Sequence, residues 1–241
     1  YNGVTIGAVT TAWKGEGSAF TDGSPTTGAI TVTAAALTAY VTGSYEIFAD
    51  SNLLSDLPGL IAEAIDSAES AAFVVGSGST APTGIVTAIS ATAGSTVTAT
   101  TRGSFTSASL VDTLAVYNAL PVRVEDSSTW LMNKATFNTI KQQMIGTTGI
   151  PVIDLTDRNR LLDSPVVKAS SMPSATTSGN VLAVLGDFSR FVIYDRIGVN
   201  LEFIQNVVDG DGLPVGKRGL VAYKRVGSNT ADINAFRFLK A

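Results

Sequence analysis

Glu63, Asp66 and Glu69 stand three residues apart, and such a run of carboxylates could set a general acid beside a general base. That work needs a partner base or an enclosing pocket. Neither is signalled nearby, so the three read as the solvated face of a helix. Gly76-Ser77-Gly78 has the small residues of a phosphate cradle. A dinucleotide fingerprint follows a strand and opens a helix, whereas this one closes a helix. Asp209-Gly210-Asp211-Gly212 hints at a calcium loop but lacks the further ligands and the distal Glu, which leaves a tight turn between strands. The chain has no histidine and no cysteine. That removes Ser-His-Asp triads, most zinc sites, imidazole chemistry, thiolates and disulfides. None of the six tyrosines is followed four residues later by lysine. No catalytic residue, metal site or cofactor is expected, and the chain does not read as an enzyme.

What remains is assembly. The 241 residues suffice for one large domain or two small ones with a real core. Charged residues make up 15% against 45% hydrophobic, and mean hydropathy is +0.28. That is sparse in charge for a soluble monomer and fits a surface that faces sister subunits. A net charge of −4 argues against a tight grip on nucleic acid, which needs clustered Lys and Arg, but not against a wall that surrounds DNA. No run of 18 apolar residues occurs, so no membrane span is expected. The chain starts at Tyr1 without a visible signal sequence, as if after a cleavage or without an upstream part.

The elements that place these residues follow from periodicity. Residues 4–13 and 28–48 are rich in β-branched side chains in partial alternation. Between them Lys14 to Pro25 is punctuated by Gly, Ser and Asp. The two runs predict a long two-stranded arm with a flexible tip. Such an arm would leave Trp13, Phe20 and its strand edges uncovered, so Trp13, Lys14, Glu16, Phe20 and Asp22 are candidate contacts to a neighbouring subunit. Residues 53–73 repeat apolar positions every three to four residues and predict one long amphipathic helix. Pro58 is tolerable there only in the first turn, Gly76 ends the helix, and Pro58 and Gly59 are candidate flex points. Further helices are predicted at 106–119 and 134–144, with a helical turn at 157–162. Later strands are predicted at 130–133, 166–167, 181–185, 191–195, 199–206, 220–226 and 235–239, and residues 87–103 as loop or edge strand. Strands and helices mix without a βαβ rhythm, so the class is α+β. Arg158 and Arg160, beside Leu161 and Leu162, are candidate inter-subunit contacts, as are Asp209, Asp211, Lys217 and Arg218.

The order of segments is informative: hairpin arm, long helix, Gly76-x-Gly78-x4-Thr83-Gly84-Ile85, Trp130-Leu-Met-Asn133 before a helix, Ser164-Pro-Val-Val167, then Gly186-Asp-Phe-Ser189 ahead of Tyr194-Asp195-Arg196. It resembles the Hong Kong 97 type major capsid proteins of tailed bacteriophages over essentially the whole chain. The resemblance implies an extended loop at 1–43 and a peripheral domain at 44–86, built on a spine helix and completed by strands at 191–222. It implies an axial domain at 87–190 that receives a return strand at 223–241. It further implies pentamers and hexamers in an icosahedral shell around double-stranded DNA, held with weak non-specific contact. Portal and scaffolding, protease or decoration proteins would be partners, and the virion would be assembled in the bacterial cytoplasm. The family's N-terminal arm would be absent, shortened or left out of this chain.

Some relatives join loops through a Lys–Asn isopeptide assisted by a carboxylate. Lys14 could be the donor, but the acceptor region near Asp209 offers no obvious Asn, and the acid's place near Lys217-Arg218 is basic. No crosslink is expected. The acidic helix face, if it lines the interior, would repel packaged DNA. Two other readings stay open on the sequence: an encapsulin-like nanocompartment shell and, in another class, a secreted β-rich adhesin or surface-layer protein.

Overall fold

The computed structural model describes residues 2–6, 11–19, 22–24, 27–50, 53–90, 92–98, 109–141, 144–145, 150–151, 159–174 and 179–241. In chain order the elements are β1 (Asn2–Ile6), β2 (Thr27–Thr31), β3 (Ala35–Ser44), α1 (Tyr45–Asp50), α2 (Leu53–Val75), α3 (Ile85–Ser90), β4 (Thr96–Thr98), α4 (Ser109–Ala119), β5 (Thr129–Met132) and α5 (Lys134–Lys141). There follow β6 (Met144–Ile145), β7 (Ile150–Pro151), β8 (Arg160–Leu161), β9 (Ser164–Lys168), β10 (Val181–Gly186), β11 (Phe191–Ile204), β12 (Lys217–Thr230) and β13 (Phe236–Lys240).

Two sheets carry the architecture. The larger is six-stranded, in the order β4-β13-β10-β5-β9-β8, with parallel pairs β13/β4 and β5/β9. Its central strand β10 is the apolar run Val-Leu-Ala-Val-Leu, and every residue in it is buried. A strand covered on both faces needs no polar alternation. Trp130, Phe137, Phe236 and Phe238 fill the same core. α5 enters it under a cap, since Asn133 Oδ1 accepts from the Ala135 N–H at 2.9 Å while its amide donates to the Met172 carbonyl at 2.7 Å.

The second sheet is antiparallel, β11-β12-β3, and α2 lies across it. Leu57, Ile61 and Ile65, four residues apart, form the buried stripe against Phe48, Leu220 and Ala222. At 1.5 Å per residue the 23 residues of α2 make a rod of roughly 35 Å. It ends as its sequence predicts: the Gly76 N–H bonds the Ala72 carbonyl at 2.8 Å, and Ser77 bridges Thr83.

Five expectations are corrected. The two-stranded arm is shorter than its β-branched runs suggest. β1 pairs with β2 alone, from Asn2↔Thr31 to Ile6↔Thr27, whereas β3 leaves the ribbon to pair with β12. The switch occurs where the chain is pinned beside β12. The Asn229 amide donates to the Thr31 carbonyl at 3.1 Å, and a Cβ on Gly227 would lie 2.5 Å from the Thr33 oxygen. Only glycine allows that approach. Second, Pro58 lies inside α2, beyond its first turn, so its ring removes an interior N–H. Third, helix 134–144 stops at Lys141, and Met144 belongs to β6. Fourth, Arg160 and Leu161 form a strand rather than a helical turn. Left-handed Leu162 and Asp163 (φ 48° and 63°) turn it back onto β9, and the buried Trp130 indole holds the Leu161 carbonyl at 3.0 Å. Residues 191–195 and 199–206, read as two strands, belong mainly to one, β11, with register shifts at Asp195/Ile197 and Ile197/Asn200.

Candidate assembly surfaces

At the arm tip Trp13 is wholly exposed, at 104% of its reference area. The Lys14 ammonium donates to the Ala19 carbonyl, and the Ser18 N–H bonds the Gly15 carbonyl at 3.3 Å, which closes a small loop around the exposed Glu16. Asp22 accepts from the Ser24 hydroxyl at 2.5 Å and the Ser24 N–H at 2.9 Å. Those two bonds, hydroxyl first, hold its carboxyl below the usual carboxylate range. Phe20 lies outside the described residues, as do Asp157 and Arg158. Lys14, Asp22 and Ser24 thus find partners within the tip, while the Trp13 indole stands exposed.

The acidic run on α2 divides. Glu63 and Asp66 are exposed as expected. Glu69 is not on the solvated face: its carboxylate takes two bonds from the Lys224 ammonium, at 2.8 and 2.6 Å, and both side chains are 12% exposed. Asp195 from β11 approaches the same ammonium at 3.7 Å. Hydrogen bonding to Glu69 raises the Lys224 pKa above the ordinary lysine value, against the opposing effect of burial. Helical phase could have revealed Glu69, because it continues the buried series Leu57, Ile61, Ile65 at four-residue spacing. Lys224 likewise continues Leu220 and Ala222 at period two.

Asp209, Asp211, Lys217 and Arg218 share the end of the β11–β12 ribbon. Asp209 Oδ1 accepts from the Asp211 and Leu213 N–H groups at 3.0 and 2.9 Å, which makes it the pin of a tight turn. Among the described residues no group of three or more His, Cys, Asp or Glu side chains is arranged to hold a metal ion. The Arg218 guanidinium lies 5.2 Å from the Tyr45 ring centroid, and the Tyr45 hydroxyl donates to Asn206 at 2.7 Å. Sequence reading took the charges here as the contact group. The structure adds exposed Phe203, Val208, Leu213 and Val215 around them. An aliphatic pair, Leu213 and Val215, inside an otherwise polar turn was the available signal. Arg160 is exposed on edge strand β8 and donates to the Asp163 carbonyl. Pro58 is half-buried and Gly59 exposed, with nothing within 4 Å of where a Gly59 Cβ would stand.

Comparison with known proteins gives a consistent result. The family described as "Phage capsid family" matches residues 3–241. No curated protein matches the sequence. Among solved structures, the capsid of a native GTA particle superposes with a TM-score of 0.84 at 24% identity, covering 100% of this chain and 84% of that one. A Microbacterium phage Oxtober96 chain gives 0.72 at 13% identity, over 100% and 85%. A Mycobacterium phage Ogopogo chain gives 0.68 at 17%, over 100% and 86%. At these identities the likeness is one of fold.

Proposed function

The chain belongs to the phage capsid family, and from that premise we propose that it is the major capsid protein of a tailed bacteriophage, building an icosahedral shell around double-stranded DNA. Its fold is the Hong Kong 97 type α+β capsid fold. The single observation that carries the proposal is the family match over residues 3–241, nearly the whole chain.

In this reading function is multivalent binding. Heterologous contacts close into pentamers and hexamers, and many weak contacts per subunit become durable once the shell is complete. The proposed parts are an extended loop, a peripheral domain on α2 with the β11-β12-β3 sheet, and an axial domain on the six-stranded sheet. Because β3 pairs with β12, we place the foot of the extended loop near residue 34 rather than 43. The arm tip, the Asp209–Arg218 ribbon end and Arg160 are the proposed contacts between copies. α2 would present Glu63 and Asp66 to the interior, where like charge keeps DNA from adhering. Assembly would take place in the bacterial cytoplasm with a portal, and with scaffolding, protease or decoration proteins as further partners.

Electron microscopy and mass measurement of the expressed full-length gene product test this reading. Closed particles or capsomer rings of megadalton mass are the expected outcome, with DNA inside particles recovered from infected cells. Particles loaded with cargo enzyme would favour a nanocompartment, and a lasting monomer would overturn the proposal.

A further inference from the structure

We infer that Trp13 of one copy seats in an alanine-lined groove at the root of the arm of the next copy, with Lys14 beside Asp195. The inference rests on reading the arm tip as a contact between copies, and it names the receptor for that contact.

The groove lies between α2, the start of β3 and the turn that follows α2. Its volume is about 140 Å³, and Ala35, Leu37, Ala68, Ala72, Pro82 and Val226 line it with Glu69 at the rim. Its origin is a change of side-chain size along α2. Leu57, Ile61 and Ile65 fill the space beneath the first half of the helix. Beyond Ile65 the stripe passes to Glu69, which turns to Lys224, and the flanking Ala68 and Ala72 leave a shallow space beside Ala35, Leu37 and Val226. An apolar cavity of about 150 Å³ accepts one benzene-sized ring. The groove, open to solvent on one side, therefore has room for one six-membered ring of an inserted aromatic side chain.

The described residues supply an aromatic with nowhere to go. Trp13 is the most exposed large apolar side chain among them. Trp13 does not fill the groove of its own chain, since the indole stands wholly exposed while the groove is open. An exposed tryptophan is a residue type that often anchors an interface, and an unfilled apolar groove on the same chain makes a second copy the partner.

Charge fits the same pairing. Lys14 is the only Lys or Arg before Arg102. Beside the groove, Glu69 takes both hydrogen bonds of the Lys224 ammonium, and the half-exposed Asp195, at 3.7 Å from the same ammonium, is the less compensated carboxylate. An arriving Lys14 neutralises it, in exchange for an exposed bond to the Ala19 carbonyl.

The absence of native cysteine gives a clean test in the full chain. Gly15→Cys and Ala68→Cys both sit at open positions, since nothing lies within 4 Å of a Gly15 Cβ and Ala68 is exposed on α2. Assembled particles of the double variant, treated with a short bis-maleimide, should give a ladder of joined subunits on a denaturing gel. Either single variant should not. Acrylamide quenching runs in parallel, because Trp130 is fully buried and the accessible fluorescence reports Trp13. Quenching should fall several-fold on assembly. Shielded Trp13 without a ladder overturns the groove as receptor and leaves the arm contact standing. Trp13 that stays quenchable in assembled particles, or a wild-type chain that never assembles, overturns both. Ala72→Leu, which fills the groove, should raise the concentration needed for assembly by about tenfold or more. Normal assembly of this variant with a shielded Trp13 overturns the inference independently.

Discussion

The Lys224 ammonium lies 2.6 and 2.8 Å from the two carboxylate oxygens of Glu69, so the middle of β12 is tied to the second half of α2. Sheet register puts Lys224 on the face that also carries Leu220 and Ala222, and helical phase puts Glu69 next along the stripe of Ile61 and Ile65. A charged pair thus takes over where the apolar packing stops. Each partner is nearly buried, and its charge is compensated only while the other remains.

Removing one partner strands the other. Lys224→Met should cost about 2 kcal/mol, between the roughly 0–1 of exposed pairs and the 3–5 of fully buried ones. Lys224→Met with Glu69→Met should recover most of it, because no charge is then left behind. Urea unfolding of dissociated subunits through the double-mutant cycle gives the coupling. The pH dependence has a definite sign. The folded-state pKa of Lys224 is raised, so its contribution is complete below the ordinary lysine value of about 10.4 and is lost as pH rises through the higher folded value. Wild type should lose stability above that point by an increment that Lys224→Met lacks. Equal alkaline slopes in the two proteins would remove the pair from this role.

Gly84 sets how closely α3 follows α2. Its N–H bonds the Gly76 carbonyl at 3.0 Å, and an added Cβ would lie 2.7 Å from the Val74 carbonyl carbon and oxygen and closer still to the Gly76 nitrogen. Those neighbours are backbone and cannot turn aside. Gly84→Ala should therefore cost about 3 kcal/mol or more. Gly94→Ala, where nothing lies within 4 Å, should stay within about 0.5 kcal/mol. Thermal melts of the two variants decide the matter, and comparable midpoints would contradict the close approach.

The sequence made some of this legible and hid the rest for identifiable reasons. The stripe Leu57, Ile61, Ile65 and its stop at Gly76 announce α2, because a buried helix face has a period and an end signal. The apolar run Val181 to Leu185 announces a strand buried on both faces. The segment from residue 28 to 48 announces strand but not partner: β2 and β3 are alike in composition, and Gly227, far along the chain, decides where one ends and the other begins. Two residues, Arg160 and Leu161, carry no period at all, and their conformation is fixed by Trp130 and the left-handed turn at Leu162 and Asp163. Glu69 was hidden by grouping it with Glu63 and Asp66, when its phase relative to Ile65 placed it on the inner face. Charge marks the candidate surfaces in the sequence, whereas the exposed Phe203, Leu213 and Val215 beside them carry no such mark.

Pro58 and Gly59 soften one place in an otherwise regular rod. Proline inside a helix withholds an N–H and crowds the preceding turn, and glycine has excess freedom in the unfolded chain. Gly59→Ala should stabilise the subunit by about 1 kcal/mol, since a Cβ there meets nothing. Pro58→Ala should add up to about 3 kcal/mol where the helix keeps its packing through Leu57 and Ile61. If α2 must bend here during assembly, the stabilised double variant should form fewer closed particles than wild type, as counted by cryo-electron microscopy. Stabilised subunits that close shells as well as wild type would place the bend elsewhere.

Between Lys14 and Arg102 the only charged residues are Glu16, Asp22, Glu46, Asp50, Asp56, Glu63, Asp66 and Glu69, all acidic. Glu69 is neutralised by Lys224, which leaves Glu63 and Asp66 as the exposed charges along the middle of α2. If this face lines the shell interior, Glu63→Lys with Asp66→Lys replaces repulsion of phosphate by attraction. Both positions are exposed, so subunit stability should change by no more than about 0.5 kcal/mol. DNA left on opened particles should rise and should fall again as salt increases, because each phosphate contact releases counterions. A Glu63→Gln, Asp66→Gln control lies between the two and separates lost repulsion from gained attraction. Retention that is the same for all three proteins at low salt would place this face away from the DNA, since a contact of opposite charges cannot be silent where screening is weakest.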